Sequence, residues 1–287
     1  MKFFMITTDH LSEAILFRDE DDFKIGMSHV AAIACHLEIN VLAFVLMSNH
    51  VHFVISCESL TRADDFIIAY KRLYARYYEG KYGVKELLRR NRSRFDEVFV
   101  GDESLEKVIA YVMMNPVVAN ICQHPSAYTW GSANCYFRVD SPHGLKTGSI
   151  SKRAQARLFH TRIPVNKEYI IDNGYIRPES FICSGFVQKL FRTPRRYDFF
   201  LRNSTKAKAK FESGKSMVPS FKDQIIIAAI PDICNSLFWT NDYKSLDEKD
   251  LSRLIHELNH RFCADPKQIA RILGIEPSEV ARNLLAF

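Results

Sequence analysis

Two histidines separated by one valine are the first residues of this sequence whose types and spacing could carry chemistry. His50 and His52 interrupt an apolar, strand-like run over residues 43–55. Side chains alternate between the two faces of a strand, so both imidazoles lie on one face, and Val51 and Phe53 lie on the other. Two neighbouring imidazoles are good ligands for a divalent metal ion. The alternative is a pair of half-buried structural histidines, and the spacing alone does not separate the two.

A tyrosine and an asparagine form the second group. Tyr111 and Asn115 are four residues apart on a predicted helix, so they share one face, with Lys107 one turn earlier. If this helix packs beside the histidine strand, two imidazoles and an amide oxygen could hold one ion next to a phenol. A metal on a phosphate oxygen makes the phosphorus a better target for such a weak nucleophile. The combination predicts DNA-strand cleavage through a covalent phosphotyrosine, although most of the twelve tyrosines must be packing residues.

The composition is that of an ordinary globular protein, with 287 residues, 47% hydrophobic and 25% charged. No run of 18 apolar residues occurs, so no membrane span is predicted. The seven cysteines are odd in number and never in Cys-x-x-Cys spacing, which favours reduced thiols over a zinc ribbon or a disulfide scaffold. The first residues are too short an apolar run for a signal peptide. We therefore expect a cytoplasmic protein.

The charge is unevenly distributed along the chain. Residues 138–220 carry 17 Lys+Arg against 6 Asp+Glu, a net charge of +11, whereas residues 1–137 and 221–287 have net charges of −3 and −2. Such an excess predicts a polyanionic partner, the alternative being a solvated basic surface. A second basic cluster, over residues 71–94, contains candidate phosphate contacts: Lys71, Arg72, Arg76 and Arg94.

Residues 1–137 predict an α+β fold with the element order β-α-β-β-α-β-α. Strands are expected at 2–8, 40–47, from 50 onward and at 95–100. Helices are expected at about 21–37, from a capping box at Thr61 and Asp64 onward, and from about Ser104 to Met114. The last helix should stop at Asn115, because Pro116 disfavours helical geometry in the residue before it. Phe66, Tyr70, Leu73 and Tyr77 give the second helix an apolar stripe. This order matches a ferredoxin-like antiparallel sheet with helices on one face.

The end of the chain predicts a helical domain. Leu251, Leu254, Ile255, Leu258 and Phe262 form an apolar helix face, and two short helices follow, separated by Gly274. This pattern is typical of a helix-turn-helix, which would offer Arg282 and Asn283 to a DNA groove, although short trihelical units also serve as dimer or packing modules. We therefore divide the chain into a catalytic domain (1–137), a basic connector (138–220) with a run of lysines at 206–210, and a helical C-terminal domain (221–287).

Three segments resemble motifs of one known family. Residues 42–52 (LAFVLMSNHVH) resemble the His-hydrophobe-His signature of the single-tyrosine transposases of small insertion sequences. Residues 110–117 (AYVMMNPV) resemble their tyrosine-helix motif, and residues 125–132 (PSAYTWGS) resemble the Tyr-x-Trp-Ser segment of repeat-associated tyrosine transposases. The three occur in the right order and spacing. Ser48 stands where a proline is common, and Val118 where many relatives have arginine.

The resemblance implies a specific chemistry. Such enzymes act on single-stranded DNA beside hairpins, with His50 and His52 as metal ligands, Tyr111 as nucleophile and Asn115 as third ligand for Mg²⁺ or Mn²⁺. Relatives include both dimers and monomers, and we expect a homodimer. Two alternatives stay open: a non-catalytic, host-adapted DNA-binding protein with the same fold, and a metal hydrolase that attacks with water instead of Tyr111.

Overall fold

The computed structural model describes residues 1–11, 14–85, 87–88, 91–138, 143–204, 223–262 and 264–285. The first part of the chain contains these elements: β1 (Lys2–Thr8), α1 (Glu20–His36), β2 (Asn40–Met47), β3 (His50–Cys57), α2 (Leu60–Tyr82), β4 (Ser93–Val98), α3 (Ser104–Met113) and α4 (Asn115–Val118). The remainder contains β5 (Leu145–Lys146), α5 (Lys152–Leu158), β6 (Ile170–Asp172), β7 (Tyr175–Ile176), α6 (Ser184–Phe191), α7 (Pro194–Arg202), α8 (Asp223–Phe238), α9 (Glu248–Phe262), α10 (Pro266–Leu273) and α11 (Pro277–Leu285).

The central sheet has four strands in the order β2-β3-β1-β4, and every neighbouring pair is antiparallel. The two crossover connections, β1-α1-β2 and β3-α2-β4, each pass over one strand, and β2 and β3 form a hairpin through Ser48 and Asn49. This is the predicted ferredoxin-like order, so the fold class is confirmed. Strand β3 lies inside the sheet and is buried along its whole length.

The two faces of the sheet carry different helices. Phe53 of β3 contacts Phe66 and Tyr70 of α2, with ring centroids 5.2 and 5.4 Å apart. The neighbouring residue His52 points to the opposite face, where it meets Tyr111 of α3. The two crossover helices pack against each other on the first face, as expected. The third helix covers the second face and brings the tyrosine to the histidines.

Two element bounds differ from the predicted ones, and capping explains the first. Helix α2 begins two residues earlier than predicted, because the Ser59 side chain accepts a hydrogen bond from the Arg62 backbone N–H. The predicted box at Thr61 and Asp64 is therefore wrong. Gly83 ends this helix in the left-handed conformation, with φ of 69°. Strand β4 ends at Val98, two residues before its predicted end.

The connector packs onto the same core as the ferredoxin-like sheet. Phe159, Ile176, Phe191 and Leu201 are buried in one hydrophobic cluster with the sheet residues. Helix α5 covers Lys152–Leu158, and a turn at residues 173–174 joins β6 to β7. The lysine run at 206–210 lies outside the described residues. The division at residue 138 stays a prediction, although residues 143–204 have no core separate from that of the sheet.

The C-terminal helices have a core of their own. Leu254, Ile255, Leu258 and Phe262 of α9 are fully buried in it, so the predicted apolar face is correct. Asp265 caps α10 by accepting from the Gln268 backbone N–H, and Gly274 ends it with φ of 69°. Throughout the described ranges, we find no helix long and apolar enough to cross a membrane.

A buried histidine on α1 makes the stability of the fold sensitive to acid. His29 Nε2 is hydrogen-bonded to the Phe159 carbonyl oxygen at 2.9 Å, and burial lowers the His29 pKa to about 3. In the unfolded chain the pKa is about 6.5, so the unfolded state binds the extra proton first as pH falls. We expect the free energy of unfolding to drop between pH 6.5 and 3 by up to about 1.4 kcal/mol per pH unit from this residue.

Denaturant unfolding at a series of pH values measures this contribution. His29→Gln keeps a hydrogen-bond donor but cannot titrate, so its stability should depend less steeply on pH than that of the wild type. The exposed His124 gives a matched control, and His124→Gln should retain the wild-type slope. Equal slopes for His29→Gln and the wild type would contradict the prediction.

Candidate active site

The two histidines of β3 lie side by side on the face of the sheet that α3 covers. His50 and His52 are 5% and 2% exposed, and their ring centroids are 4.8 Å apart. His50 Nδ1 donates to the Asn49 side-chain oxygen at 2.7 Å. Because an amide oxygen only accepts, His50 carries its proton on Nδ1, and its Nε2 has the lone pair that a metal needs. The pair therefore has the orientation of ligating imidazoles.

Strand β1 orients the second imidazole. Thr7 lies directly opposite His52 in the β1–β3 ladder, and its Oγ1 is 2.9 Å from His52 Nδ1. Thr7 also lies opposite Arg94 in the β1–β4 ladder. Directly paired residues of antiparallel strands share a face, so His52, Thr7 and Arg94 form one row across three strands. Sequence reasoning missed Thr7, because only the strand register reveals it.

A third imidazole also reaches the site. The ring of His10, which follows β1, stacks on the ring of His50 with centroids 3.7 Å apart and an interplanar angle of 14°. The backbone N–H of Leu11 donates to the Asn49 carbonyl oxygen at 3.0 Å, which fixes the chain beside the histidine turn. The lone pair of an imidazole nitrogen lies in the plane of its ring, so two stacked, nearly parallel rings cannot both direct a lone pair at the same ion. His10 therefore covers the His50 ring and does not bind the same metal ion as His50. No spacing in the sequence signals this contact.

Helix α3 places Tyr111 opposite His52. Their ring centroids are 6.3 Å apart with an interplanar angle of 89°, and the tyrosine is half-buried. Burial raises the pKa of the Tyr111 phenol; the nearby Arg94 opposes this shift and Asp96 adds to it. The phenol is therefore protonated at neutral pH in the free protein. It needs proton removal or an activated target before it can attack.

Asn115 sits just past the end of the tyrosine helix, as the first residue of α4. Its amide nitrogen donates to the carbonyl oxygens of Tyr111 and Val112, at 3.1 and 2.9 Å. Both bonds use Nδ2, so Oδ1 is the atom that would coordinate a metal. Tyr111 and Asn115 remain one helical turn apart, although α3 ends at Met113 rather than Met114.

The donor set suits a small divalent ion. Two imidazole nitrogens and an amide oxygen are compatible with Mg²⁺ or Mn²⁺. Oxygen atoms of water and of the phosphate would supply the other ligands of the ion. Among the residues that the structure describes, no cluster of three or more His, Cys, Asp or Glu side chains could hold a metal. The predicted set contains two histidines and an amide, so it does not depend on such a cluster.

The segment after the tyrosine helix fastens the edge of the sheet beside the site. Tyr128 Oη donates to the Leu46 carbonyl oxygen at 2.6 Å, and the Leu46 backbone N–H donates to the Trp130 carbonyl oxygen at 2.8 Å. Ser132 Oγ accepts from the Phe44 backbone N–H at 3.0 Å. A Cβ on Gly131 would meet the Phe44 carbonyl oxygen at 3.1 Å, so this close approach favours glycine. The third sequence motif therefore holds β2 in place through these hydrogen bonds.

Comparisons with known proteins give a family match over part of the chain. Residues 14–115 match the model of the family described as Transposase IS200 like. Among solved structures, one of a REP-associated tyrosine transposase bound to a REP hairpin is similar, with 9% sequence identity, a TM-score of 0.36 and coverage of 60% of this chain and 89% of that chain. No curated protein matches the chain.

The predicted DNA contacts lie in different places in the fold. Lys71 Nζ donates to the Asn91 carbonyl oxygen and Ser93 Oγ, at 2.7 and 3.0 Å, so it ties α2 to the start of β4. Arg72 and Arg76 are exposed on α2, which lies on the face of the sheet opposite Tyr111. The crossover between β3 and β4 places this helix behind the sheet. Arg94 alone of this group lies on the face that carries His52 and Tyr111.

The two remaining predicted contacts lie on α11, in the C-terminal helical part. Arg282 is exposed, and Asn283 is half-buried, with its side chain donating to the Glu279 carbonyl oxygen at 3.0 Å. The Asn283 backbone carbonyl oxygen is 3.0 Å from His256 Nε2, which ties α11 to α9. Of the two side chains, Arg282 is therefore better placed to meet DNA.

The hydroxyl of Thr7 should matter for metal binding at His50 and His52. Thr7→Val keeps the shape of the side chain but removes the hydrogen bond to His52 Nδ1. Loss of such an orienting bond costs roughly 10- to 100-fold in metal affinity. Titration with Mn²⁺, followed by electron paramagnetic resonance, measures the change. Thr7→Ser restores the hydroxyl and should restore most of the affinity; unchanged binding by Thr7→Val would contradict the role.

Proposed function

We propose that this protein is a metal-dependent single-stranded DNA endonuclease and strand transferase, that is, a tyrosine transposase. One observation carries the proposal: the Tyr111 ring faces His52, 6.3 Å away, from a helix that packs on the histidine face of the sheet. The family match over residues 14–115 supports DNA rearrangement as the biological setting. The alternatives of a binding protein and of a water-using hydrolase lack an observation of this kind.

The chain's own side chains have separate roles in the proposed reaction. His50 and His52, with Asn115, would hold the Mg²⁺ or Mn²⁺ ion, which neutralises charge on the scissile phosphate when bound. The Tyr111 oxygen attacks the phosphorus and loses its proton to solvent or a nearby base. A bond forms between that oxygen and phosphorus, and the bond from phosphorus to one sugar oxygen breaks. The cut strand leaves with a free hydroxyl.

The covalent phosphotyrosine keeps the phosphodiester energy for rejoining. Attack by a hydroxyl of another strand end on the same phosphorus releases Tyr111 and completes the transfer. Arg94 lies on the same face, and its guanidinium is close enough to affect the phenol. It is paired with Asp96 at 3.0 Å, and its side chain is 78% exposed, so it can turn toward a phosphate oxygen.

The proposed partner is single-stranded DNA beside a hairpin or palindromic repeat. Contacts outside the catalytic face would come from Arg72 and Arg76 on α2 and from Arg282 and Asn283 in the C-terminal helix-turn-helix. The proposal also includes the three-part division of the chain and a homodimer.

A covalent adduct tests the proposal directly. The full chain is incubated with end-labelled single-stranded oligonucleotides that contain a hairpin, with Mg²⁺, with Mn²⁺ or with a chelator. The expected product is a labelled band that survives denaturing electrophoresis and forms only with the ion. Peptide mapping should place the nucleotide on Tyr111. Cleavage without any adduct would indicate attack by water, and neither product across a broad set of hairpins would favour a binding protein.

A further inference from the structure

A continuous groove runs between α2 and the connector, on the face of the sheet away from Tyr111. Two adjoining cavities of 730 and 1190 Å³ lie there, and they share Arg76, Arg157 and His160 as lining residues. Because the shared residues stand between them, the cavities form one groove. We call it the α2–α5 groove and define it by Arg76, Lys152, Arg153, Arg157, His160 and Arg162.

The groove carries an excess of positive charge. Within the described residues, no carboxylate forms an ion pair with any of its five Lys and Arg side chains. The acidic lining residue Asp21 is 4.0 Å from Lys24, which also pairs with Glu20 at 3.0 Å. Five like charges without counter-charges repel one another, so an anion in the groove lowers the electrostatic free energy.

The walls of the groove are fixed to the core. The Phe159 carbonyl oxygen, just after α5, is hydrogen-bonded to the buried His29, and the Phe159 ring is buried. His160 has φ of 50°, and its ring packs on Tyr77 of α2 with centroids 5.0 Å apart. The Gln155 side chain donates to the Thr147 carbonyl oxygen at 2.8 Å, which anchors α5 to the connector. The charges are thus presented by a preformed surface, which reduces the ordering cost of binding.

The arginines are spread out in a way that suits a chain of regularly spaced negative groups better than a single anion. Arg153 and Arg157 are four residues apart on α5, and Arg72 and Arg76 have the same spacing on α2, so each helix presents a pair on one face. Such spread charge suits a nucleic-acid backbone, whose phosphates recur along the strand. Of the aromatic lining residues, Tyr77 is buried and the exposed His160 ring packs against it. The described lining therefore offers few of the exposed rings on which the bases of a single strand stack.

We propose that the α2–α5 groove binds the sugar–phosphate backbone of the base-paired DNA stem, while the strand to be cut lies at Tyr111 on the other face. This inference rests on the proposed function, because it assumes that the substrate contains a paired stem. A duplex carries twice the phosphate density of one strand per unit length, so it gains most from the cluster. Four of the five cationic residues belong to the connector, outside the family match.

The test compares two double variants of the full chain with equal charge loss. Arg153→Gln/Arg157→Gln alters the groove, and Lys189→Gln/Lys244→Gln removes two exposed charges elsewhere. Fluorescence anisotropy with a hairpin oligonucleotide, over a salt series, gives the affinity and its salt dependence. Backbone contacts do not depend on base sequence, so any stable stem serves as the probe. The groove variant should lower the slope of log K against log salt by about 1.8 and weaken binding about tenfold or more.

The control variant should keep the wild-type slope, and a thermal melt should show both variants folded. An unpaired oligonucleotide of equal length should lose less affinity in the groove variant than the hairpin does. Equal losses for the two oligonucleotides, or equal slopes for the two variants, would overturn the proposal. Adduct formation at saturating oligonucleotide concentration should be unchanged by the groove variant. A missing adduct in the wild type would refute the proposed catalysis. It would not affect the test of stem binding, which depends only on the measured hairpin affinities.

Discussion

Replacing Tyr111 by phenylalanine is expected to abolish the covalent protein–DNA adduct and to reduce strand cleavage on the order of 10⁴-fold or more. The change removes one oxygen, the atom that would bond to phosphorus, and leaves the ring that packs against His52. Tyr111 is half-buried at the end of a helix whose other face is in the core, so the variant should fold normally. Denaturing electrophoresis of the adduct and quantification of cut oligonucleotide measure both losses.

A second tyrosine provides the matched control for this experiment. Tyr243 lies in the C-terminal helical part, where its ring packs partly on that core, and Tyr243→Phe removes a hydroxyl far from the histidines in the fold. It should retain wild-type cleavage and adduct yield. If Tyr111→Phe still cuts DNA at a comparable rate while His52→Ala does not, the nucleophile is water and the tyrosine assignment is wrong.

Replacing His52 by alanine is expected to remove most of the metal affinity and, with it, adduct formation. The imidazole is held by Thr7 at one nitrogen and lies beside His50, so its loss deletes a ligand in a site that has few protein donors. The affinity for Mn²⁺ should fall by about a hundredfold or more. This loss is larger than that expected when only a hydrogen bond that orients a ligand is removed. Calorimetric titration with Mn²⁺ measures this without relying on catalysis.

The exposed His124 is the control for ligand loss, because His124→Ala removes an imidazole at the surface. It should bind Mn²⁺ as the wild type does. Retention of full Mn²⁺ affinity by His52→Ala would show that the ion binds elsewhere. A thermal melt separates this from misfolding, since His52 is 2% exposed and its removal also leaves a cavity that costs stability.

The connector supports the catalytic face as well as forming the groove behind it. Arg196 of α7 pairs with Glu103 and Glu106 at the start of α3, at 3.1 and 3.2 Å. Glu106 is nearly buried, so this contact is better shielded from solvent than an ordinary surface ion pair. The helix that carries Tyr111 is thus braced by a segment outside the family match. This arrangement joins the tyrosine helix and the α2–α5 groove to one hydrophobic core.

Local pattern was enough to predict most of the sheet and half of the site. Alternation along β3 puts His50 and His52 on one face wherever the strand lies, and the four-residue spacing keeps Tyr111 and Asn115 together. The order of strands and helices left few topologies to consider, and the ferredoxin-like order was among them. Helix starts were less certain: Ser59 rather than Thr61 caps α2, because neighbouring residues offer equivalent caps.

Only the tertiary structure decided which elements meet. Nothing in the spacing says that α3 covers the histidine face while α2 lies behind the sheet, because either face can accept an amphipathic helix. The register of β1 between β3 and β4 brings Thr7 and Arg94 into the row of His52, and the chain after β1 stacks His10 on His50. These contacts join residues far apart in sequence, and long-range packing, not local periodicity, selects them.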